Sequence, residues 1–235
     1  MRMQGLQLWV SDPEVLIPFY RDVLGMRYRC EAGRHLLQYG EPGVWVELIA
    51  GQGGYTYARS DAYWKIGITV PDVDAARDWL RQRGVACSEP KQFRDIGYMC
   101  HLQDPAGFQI ELLQHTFEGQ PKTARGDATL ALGGGAQIGQ ITLRVTDIDA
   151  ALAAYQADQN MRLLSIQRVS DFGFDLYFLA HTEETPPHAD LEAVENRPWL
   201  WQRPYTTLEL QHLLDPVELT SPEAPASGAH RVVFG

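Results

Sequence analysis

Three glutamates stand in otherwise apolar, strand-like stretches: Glu47 in VWVELIA, Glu111 in FQIELLQ and Glu209 in TTLELQH. A carboxylate in such a place is costly to bury unpaired, so each calls for solvent or a positive partner. Three aspartates recur in step with them, Asp12, Asp72 and Asp147, and seven residues before these lie Gly5, Lys65 and Gln140. Gln140 carries an amide oxygen that can ligate a metal, glycine offers nothing, and a lysine ammonium has no lone pair to give. Aromatic residues on or beside the strands, among them Trp45, Trp64, Trp199 and Trp201, suit the wall of a pocket for a planar ligand or an ordinary core. The sequence has no nucleophile elbow, phosphate-binding loop or paired-cysteine zinc motif.

The elements that must position these groups repeat three times. Each aspartate follows an alternating strand and precedes a helical pattern, the place of an N-cap. Pro13 takes the first helical position after Asp12. The helices are expected to end at Gly25, Gly84 and Asn160, residues that tolerate positive φ. Apolar spacing at Leu16, Phe19, Tyr20 and Leu24 marks the buried face of the first helix. Strand-like segments follow each helix, the last carrying the glutamate, so the unit reads βαβββ. Residues 117–137, with Gly, Lys, Thr, Pro and a triple glycine, read as a linker. The irregular stretch HTEETPPHADLEAVENRPWLWQRP interrupts the third unit and predicts a short helix over Ala189–Asn196, lying across a sheet or a partner.

A chain of 235 residues can bury one large core or two small ones. Its formal net charge of −10 argues against nucleic acid, whose phosphates demand clustered Lys and Arg. The cysteines Cys30, Cys87 and Cys100 are odd in number and form no CxxC pair, which fits reduced thiols in the cytoplasm. The start, MRMQGLQLWVSD, does not read as a signal peptide, and no apolar run reaches the roughly 20 residues of a membrane span.

The strand motif before each helix, FYRDVLGM in the first unit and LQDPAGFQIELL in the second resemble the vicinal oxygen chelate superfamily, which includes glyoxalase I, bleomycin-resistance proteins and extradiol dioxygenases. The resemblance implies an α+β fold of repeated βαβββ modules whose curved mixed sheets enclose a cleft. It implies modules one and two paired as one domain over residues 1–116, the linker over 117–137, and a third module over 138–235. The tail SPEAPASGAHRVVFG resembles the first strand of a fourth module, with His230 in its ligand position.

In that superfamily a metal is usually held by the residue seven before the capping Asp and by the Glu of the last strand. For modules one and two those positions are Gly5, Glu47, Lys65 and Glu111, a poor donor set for a divalent ion. The expectation is a cleft in the N-terminal domain without a cofactor, in which Lys65 replaces the metal's charge against Glu47, Glu111 or both. QITLRVTD and TTLELQH of module three resemble glyoxalase I most closely, which implies a divalent metal (Zn, Ni, Co, Mn or Fe) on Gln140 and Glu209, with His230 as a third ligand. Arg144 falls where glyoxalase I has an arginine that contacts the glutathione carboxylate, and Trp45 and Trp64 are candidate substrate contacts. Leu213 and Ala226 depart from that family's Asn and Arg, and its proton-abstracting Glu is missing from the C-terminal half. Glu111 takes that role only if module two pairs with module three.

The resemblance therefore implies a metal-dependent lyase or isomerase acting on a small molecule with vicinal oxygens. The alternative is a non-catalytic binder of aromatic or antibiotic molecules, and the third choice an extradiol dioxygenase. Module three has a sheet edge to cover, by the chain's own tail, by module two or by a second copy, and a homodimer is expected.

Overall fold

The computed structural model describes residues 2–41 and 43–235. Module one runs β1 (Met3–Val10), α1 (Pro13–Pro18, widening into a π-helical turn over Phe19–Val23), β2 (Arg27–Glu31), β3 (Arg34–Gln38) and β4 (Trp45–Ala50). Module two runs β5 (Tyr63–Val70), α2 (Val73–Gln82), β6 (Lys91–Phe93), β7 (Gly97–Gln103) and β8 (Gln109–Gln114). Module three runs β9 (Gln137–Val145), α3 (Ile148–Ala157), β10 (Arg162–Val169), β11 (Phe174–Ala180), α4 (Asn196–Trp201) and β12 (Thr207–Leu213), and β13 (His230–Phe234) follows. The fold is α+β, built on βαβββ units.

Local signals act as the sequence implies. The carboxylates of Asp12, Asp72 and Asp147 accept hydrogen bonds from the backbone N–H of Glu14, Ala75 and Ala150 at 3.0, 3.2 and 2.9 Å. Gly25, Gly84 and Asn160 all take positive φ just beyond the helices. The linker is held against α2: Lys122 bonds both Asp72 and Asp74, Gly126 N–H donates to Asp72, and Leu132 is buried.

Module pairing differs from the expected one. In every module the first strand lies parallel to the last, β1 to β4, β5 to β8 and β9 to β12. The other edge of each first strand must find a partner. Modules one and two do not supply each other's: β5 pairs antiparallel with β9, giving the eight-stranded order β10-β11-β12-β9-β5-β8-β7-β6. β1 pairs instead with β13, giving the five-stranded order β13-β1-β4-β3-β2. Of the three covers open to the module-three edge, the tail, module two or a second copy, module two is the one that takes it.

Alternation along the strands sorts the side chains into two faces. Leu6, Leu8 and Val10 of β1 and Ile66, Ile68 and Val70 of β5 enter one shared core. Gly5 and Gln7, like Lys65 and Gly67, point to the opposite faces. The short helix begins where the expected one ends, at Asn196. Asn196 ties down the preceding turns by donating to the carbonyls of His188 and Asp190 and accepting from His188 N–H, and the apolar pair Leu200–Trp201 that follows supplies the buried face. It lies across the module-three sheet, Trp201 meeting Phe178 edge to face with ring centroids 5.2 Å apart. Among the described residues no helix is long and apolar enough to cross a membrane.

Candidate functional site

The β5–β9 pairing brings four of the singled-out residues together. Its register sets Gly67 opposite Gln140 and Lys65 opposite Thr142, while the parallel pairings set Glu111 beside Gly67 and Glu209 beside Thr142. Gln140 lies over Gly67, where a Cβ would collide with it. Lys65 Nζ donates to Glu111 Oε1 and to Glu209 Oε2, both at 3.0 Å. Gln140 Nε2 donates to Glu111 Oε1 at 2.7 Å, and Thr142 Oγ1 to Glu209 Oε2 at 2.6 Å. His101 Nε2 lies 3.0 Å from Glu111 Oε2. Lys65 is 1% exposed, Glu111 4%, Gln140 2% and Glu209 1%, so the ammonium has no recourse to water.

Electrostatics separate the two carboxylates. Burial alone would raise Glu111, but the Lys65 charge and the His101 contact outweigh it and hold the group down to about 2. Glu209 moves the other way: its burial and the neighbouring Glu111 charge prevail over Lys65 and Thr142. Burial would lower Lys65, and the two carboxylates overcome it, raising the ammonium above its ordinary value. Lys65 is therefore a cation in its resting state.

This cluster floors a cavity of about 310 Å³. Phe93 of β6, Met99 of β7, Phe174, Leu176 and Phe178 of β11, and Trp201 of α4 are its principal walls. Trp64 also lines it, with Lys65 Nζ 4.8 Å from its ring centroid. Two floor acceptors have no donor among the described residues. Gln140 Oε1 is buried without a partner, and Glu209 takes both of its bonds on Oε2, leaving Oε1 unbonded.

The remaining expected residues lie elsewhere. Glu47 does not meet Lys65. Arg34 clamps it at 2.8 and 2.9 Å, and Gln7 donates at 2.9 Å. Trp45 is in register with Gly5, and its indole occupies the space a Cβ there would need, so module one fills its first-strand position with an aromatic ring. His230 is separate from Gln140 and Glu209. By analogy with Gly67 opposite Gln140, the β13 residue opposite Gln7 is Arg231, so His230 sits one residue off that position. One residue turns a strand side chain to the other face. His230 accordingly faces Tyr63, ring centroids 5.4 Å apart, and burial lowers its pKa. Arg144 is buried and has no carboxylate partner among the described residues. It donates to Gln211 Oε1 and the Asp61 carbonyl at 2.9 Å and to the Tyr57 hydroxyl at 2.6 Å, and it borders an adjoining cavity of about 550 Å³.

His101, Thr142 and the β11 wall are the participants that sequence reasoning missed. Period-2 alternation would have found them, since Met99 and His101, and Phe174, Leu176 and Phe178, fall on the same faces as Glu111 and Glu209.

A divalent cation does not fit the donor set as it stands. Of its three expected ligands Glu209 is bonded to the ammonium, Gln140 spends its amide N–H on Glu111 and His230 faces Tyr63, and a cation added at close range would meet the Lys65 charge. Among the described residues no group of three or more His, Cys, Asp or Glu is placed to hold a metal ion.

Residues 2–112 match the family model described as the Glyoxalase/Bleomycin resistance protein/Dioxygenase superfamily. A protein of Vibrio cholerae serotype O1 named "Probable lactoylglutathione lyase" is 29% identical over 127 residues, 48% of this chain and 91% of that one. The "Lactoylglutathione lyase" of Haemophilus influenzae is 28% identical over 131 residues, 49% of this chain and 93% of that one. The crystal structure of glyoxalase I from Zea mays aligns with a TM-score of 0.67 at 20% identity, covering 92% of this chain and 69% of that one, a likeness of fold. Residues 2–112 thus carry the glyoxalase/bleomycin resistance/dioxygenase superfamily domain, and module three repeats the same βαβββ unit.

Proposed function

We propose that the cleft between modules two and three binds a small organic molecule without a metal, the Lys65 ammonium taking the place that a metal's charge would fill. The observation that carries this reading is the pair of 3.0 Å contacts from Lys65 Nζ to Glu111 and Glu209 at full burial. An ammonium with two such partners neither coordinates substrate oxygens nor serves as a Lewis acid, so polarisation of vicinal oxygens is lost to this site. What remains is a cavity with aromatic walls and a polar floor, the usual make-up of a small-molecule pocket.

Trp64 and Phe174 border both the cavity and the adjoining one that holds Arg144. A ligand reaching past Trp64 finds there a buried guanidinium suited to an acidic group. The competing reading, a metal-dependent lyase or isomerase, is supported by the names of the Vibrio and Haemophilus relatives. It would require Lys65 to release both carboxylates. An iron-dependent dioxygenase needs two histidines and a carboxylate, and His101 is the one histidine at the cluster among the described residues.

Trp64 and Trp201 make the test direct. Small aromatic ligands are expected to quench tryptophan fluorescence with an affinity that chelator does not change, in protein carrying no stoichiometric divalent metal. A tightly held Zn, Ni, Co, Mn or Fe ion, together with loss of binding on chelation, would overturn the reading.

A further inference from the structure

The floor of the cleft is rich in acceptors. It carries two buried carboxylates, Glu111 and Glu209, against one buried ammonium, Lys65. Thr142 and Gln140 add donors to these carboxylates but no charge, and His101 stands on the other oxygen of Glu111, which leaves Glu209 with Lys65 as its one cationic partner among the described residues. Lys91 lies at the cavity's rim on β6 and is exposed, so water screens it from the floor. The hydrogen-bond balance is skewed in the same direction. Gln140 Oε1 is buried with no donor, and Glu209 Oε1 has none among the described residues. A buried acceptor without a donor is a standing cost that a ligand can relieve.

The walls narrow the choice further. Phe93, Phe174, Phe178, Trp64 and Trp201 face a space of about 310 Å³, at the small end for ligand pockets. Ring faces are the negative side of the aromatic quadrupole and favour cations as well as flat apolar bodies. An anionic head would have to approach two carboxylates at low dielectric.

We propose that the ligand of this cleft is a small aromatic cation, a ring carrying an amidinium or protonated amine, with its head donating to Glu209 and Gln140 and its ring held between the β11 phenylalanines and the tryptophans. The inference rests on the metal-free cleft proposed above and adds the charge and hydrogen-bonding class of the occupant.

Benzamidine, benzamide and benzoate make a near-isosteric test, alike in ring and size and differing in the charge of the head. Binding of each to the full chain is followed by tryptophan fluorescence and calorimetry. Benzamidine is expected to bind about tenfold or more tighter than benzamide, with benzoate weakest, the margin a charge-assisted hydrogen bond supplies. Glu209→Gln is expected to remove about tenfold of the benzamidine affinity while leaving benzamide within about twofold. Should that variant fail to fold, Leu176→Trp fills the cavity from β11 and must abolish benzamidine binding. Benzamide or benzoate binding as tightly as benzamidine overturns the cationic class and leaves the metal-free cleft standing. Absence of binding by all three overturns both, as does benzamidine binding that survives Leu176→Trp.

Discussion

Replacing Lys65 by glutamine separates the two roles assigned to that position. The wild-type ammonium is 1% exposed and sits 3.0 Å from each of two carboxylates. Removing one member of such a buried set leaves charge uncompensated and costs about 3–5 kcal/mol. For a chain of this length each kcal/mol moves the melting temperature by about 2–4 °C, so Lys65→Gln is expected to melt on the order of 10 °C lower in chelator. The same change turns the cluster into an oxygen donor set of two carboxylates and two amides, which suits a hard divalent ion. Metal at about 100 to 1,000 times its dissociation constant would restore about 2.7–4.1 kcal/mol, most of what was lost. Lys65→Met creates the same charge defect without a donor and should melt as low as Lys65→Gln in chelator, with no recovery in metal. Scanning calorimetry of the three proteins with and without Mn, Co, Ni and Zn reads all of this. The reasoning is refuted if Lys65→Gln is as stable as wild type in chelator, or if metals raise its melting temperature no more than that of Lys65→Met.

Glu111 is held down to about 2, so its contribution to stability is present above its ordinary value near 4.5 and is lost as pH falls from there toward 2. Glu111→Gln should accordingly flatten the acid limb of a melting-temperature profile below pH 5, and an unchanged limb would place the acid sensitivity elsewhere. Arg34→Ala strips the clamp from Glu47 and is expected to cost about 1–3 kcal/mol in denaturant unfolding while leaving benzamidine affinity unaltered. Gly5→Val drives a side chain into the Trp45 ring and should destabilise by about 1–3 kcal/mol, again without effect on the cleft of modules two and three. A loss of ligand affinity in either variant would tie module one to the binding site.

What the sequence conveys well is local. Three aspartates before three amphipathic segments announce the caps, and Gly25, Gly84 and Asn160 announce the ends, because each demand is met within a few residues of chain. The three glutamates are legible too, since an acid among strand-forming residues must be answered by something. Which partner answers is settled by edges far apart in sequence. Nothing in KIGITV says that its free edge will meet QIGQITLRV rather than GLQLWV, as all three alternate in the same way. Of the two partners expected for Lys65, Glu47 and Glu111, the first lies in the other sheet, and Lys65 bonds Glu111 together with Glu209 of module three. His230 shows how narrow the margin is. The tail forms β13 against β1, but Arg231 rather than His230 stands opposite Gln7, one residue from where a ligand was expected.

The modules also explain why their first-strand residues differ. Where β5 meets β9, the last-strand carboxylates of two modules converge across one seam, and a single first-strand cation serves both. Module three then has no need of a second charge, and Gln140 supplies a neutral donor to Glu111 in the space that Gly67 leaves open. Where β1 meets β13, one glutamate stands alone, and Arg34 reaches it from β3 within the same module. The first-strand position of module one is thereby released from charge balance, and glycine there admits the Trp45 indole. Gly, Lys and Gln at one offset are three answers to how many carboxylates each seam must neutralise and from which strand the neutralising charge comes. On this account Lys65 and Gln140 are not interchangeable. Exchanging them, as Lys65→Gln with Gln140→Lys, keeps the charge count but moves the ammonium to the strand where the pseudo-twofold partner of Gly67 is Thr142. The glutamine placed at position 65 then faces the Thr142 side chain in place of the glycine that makes room for Gln140 in the native chain, and the exchanged protein should be less stable than wild type despite identical composition.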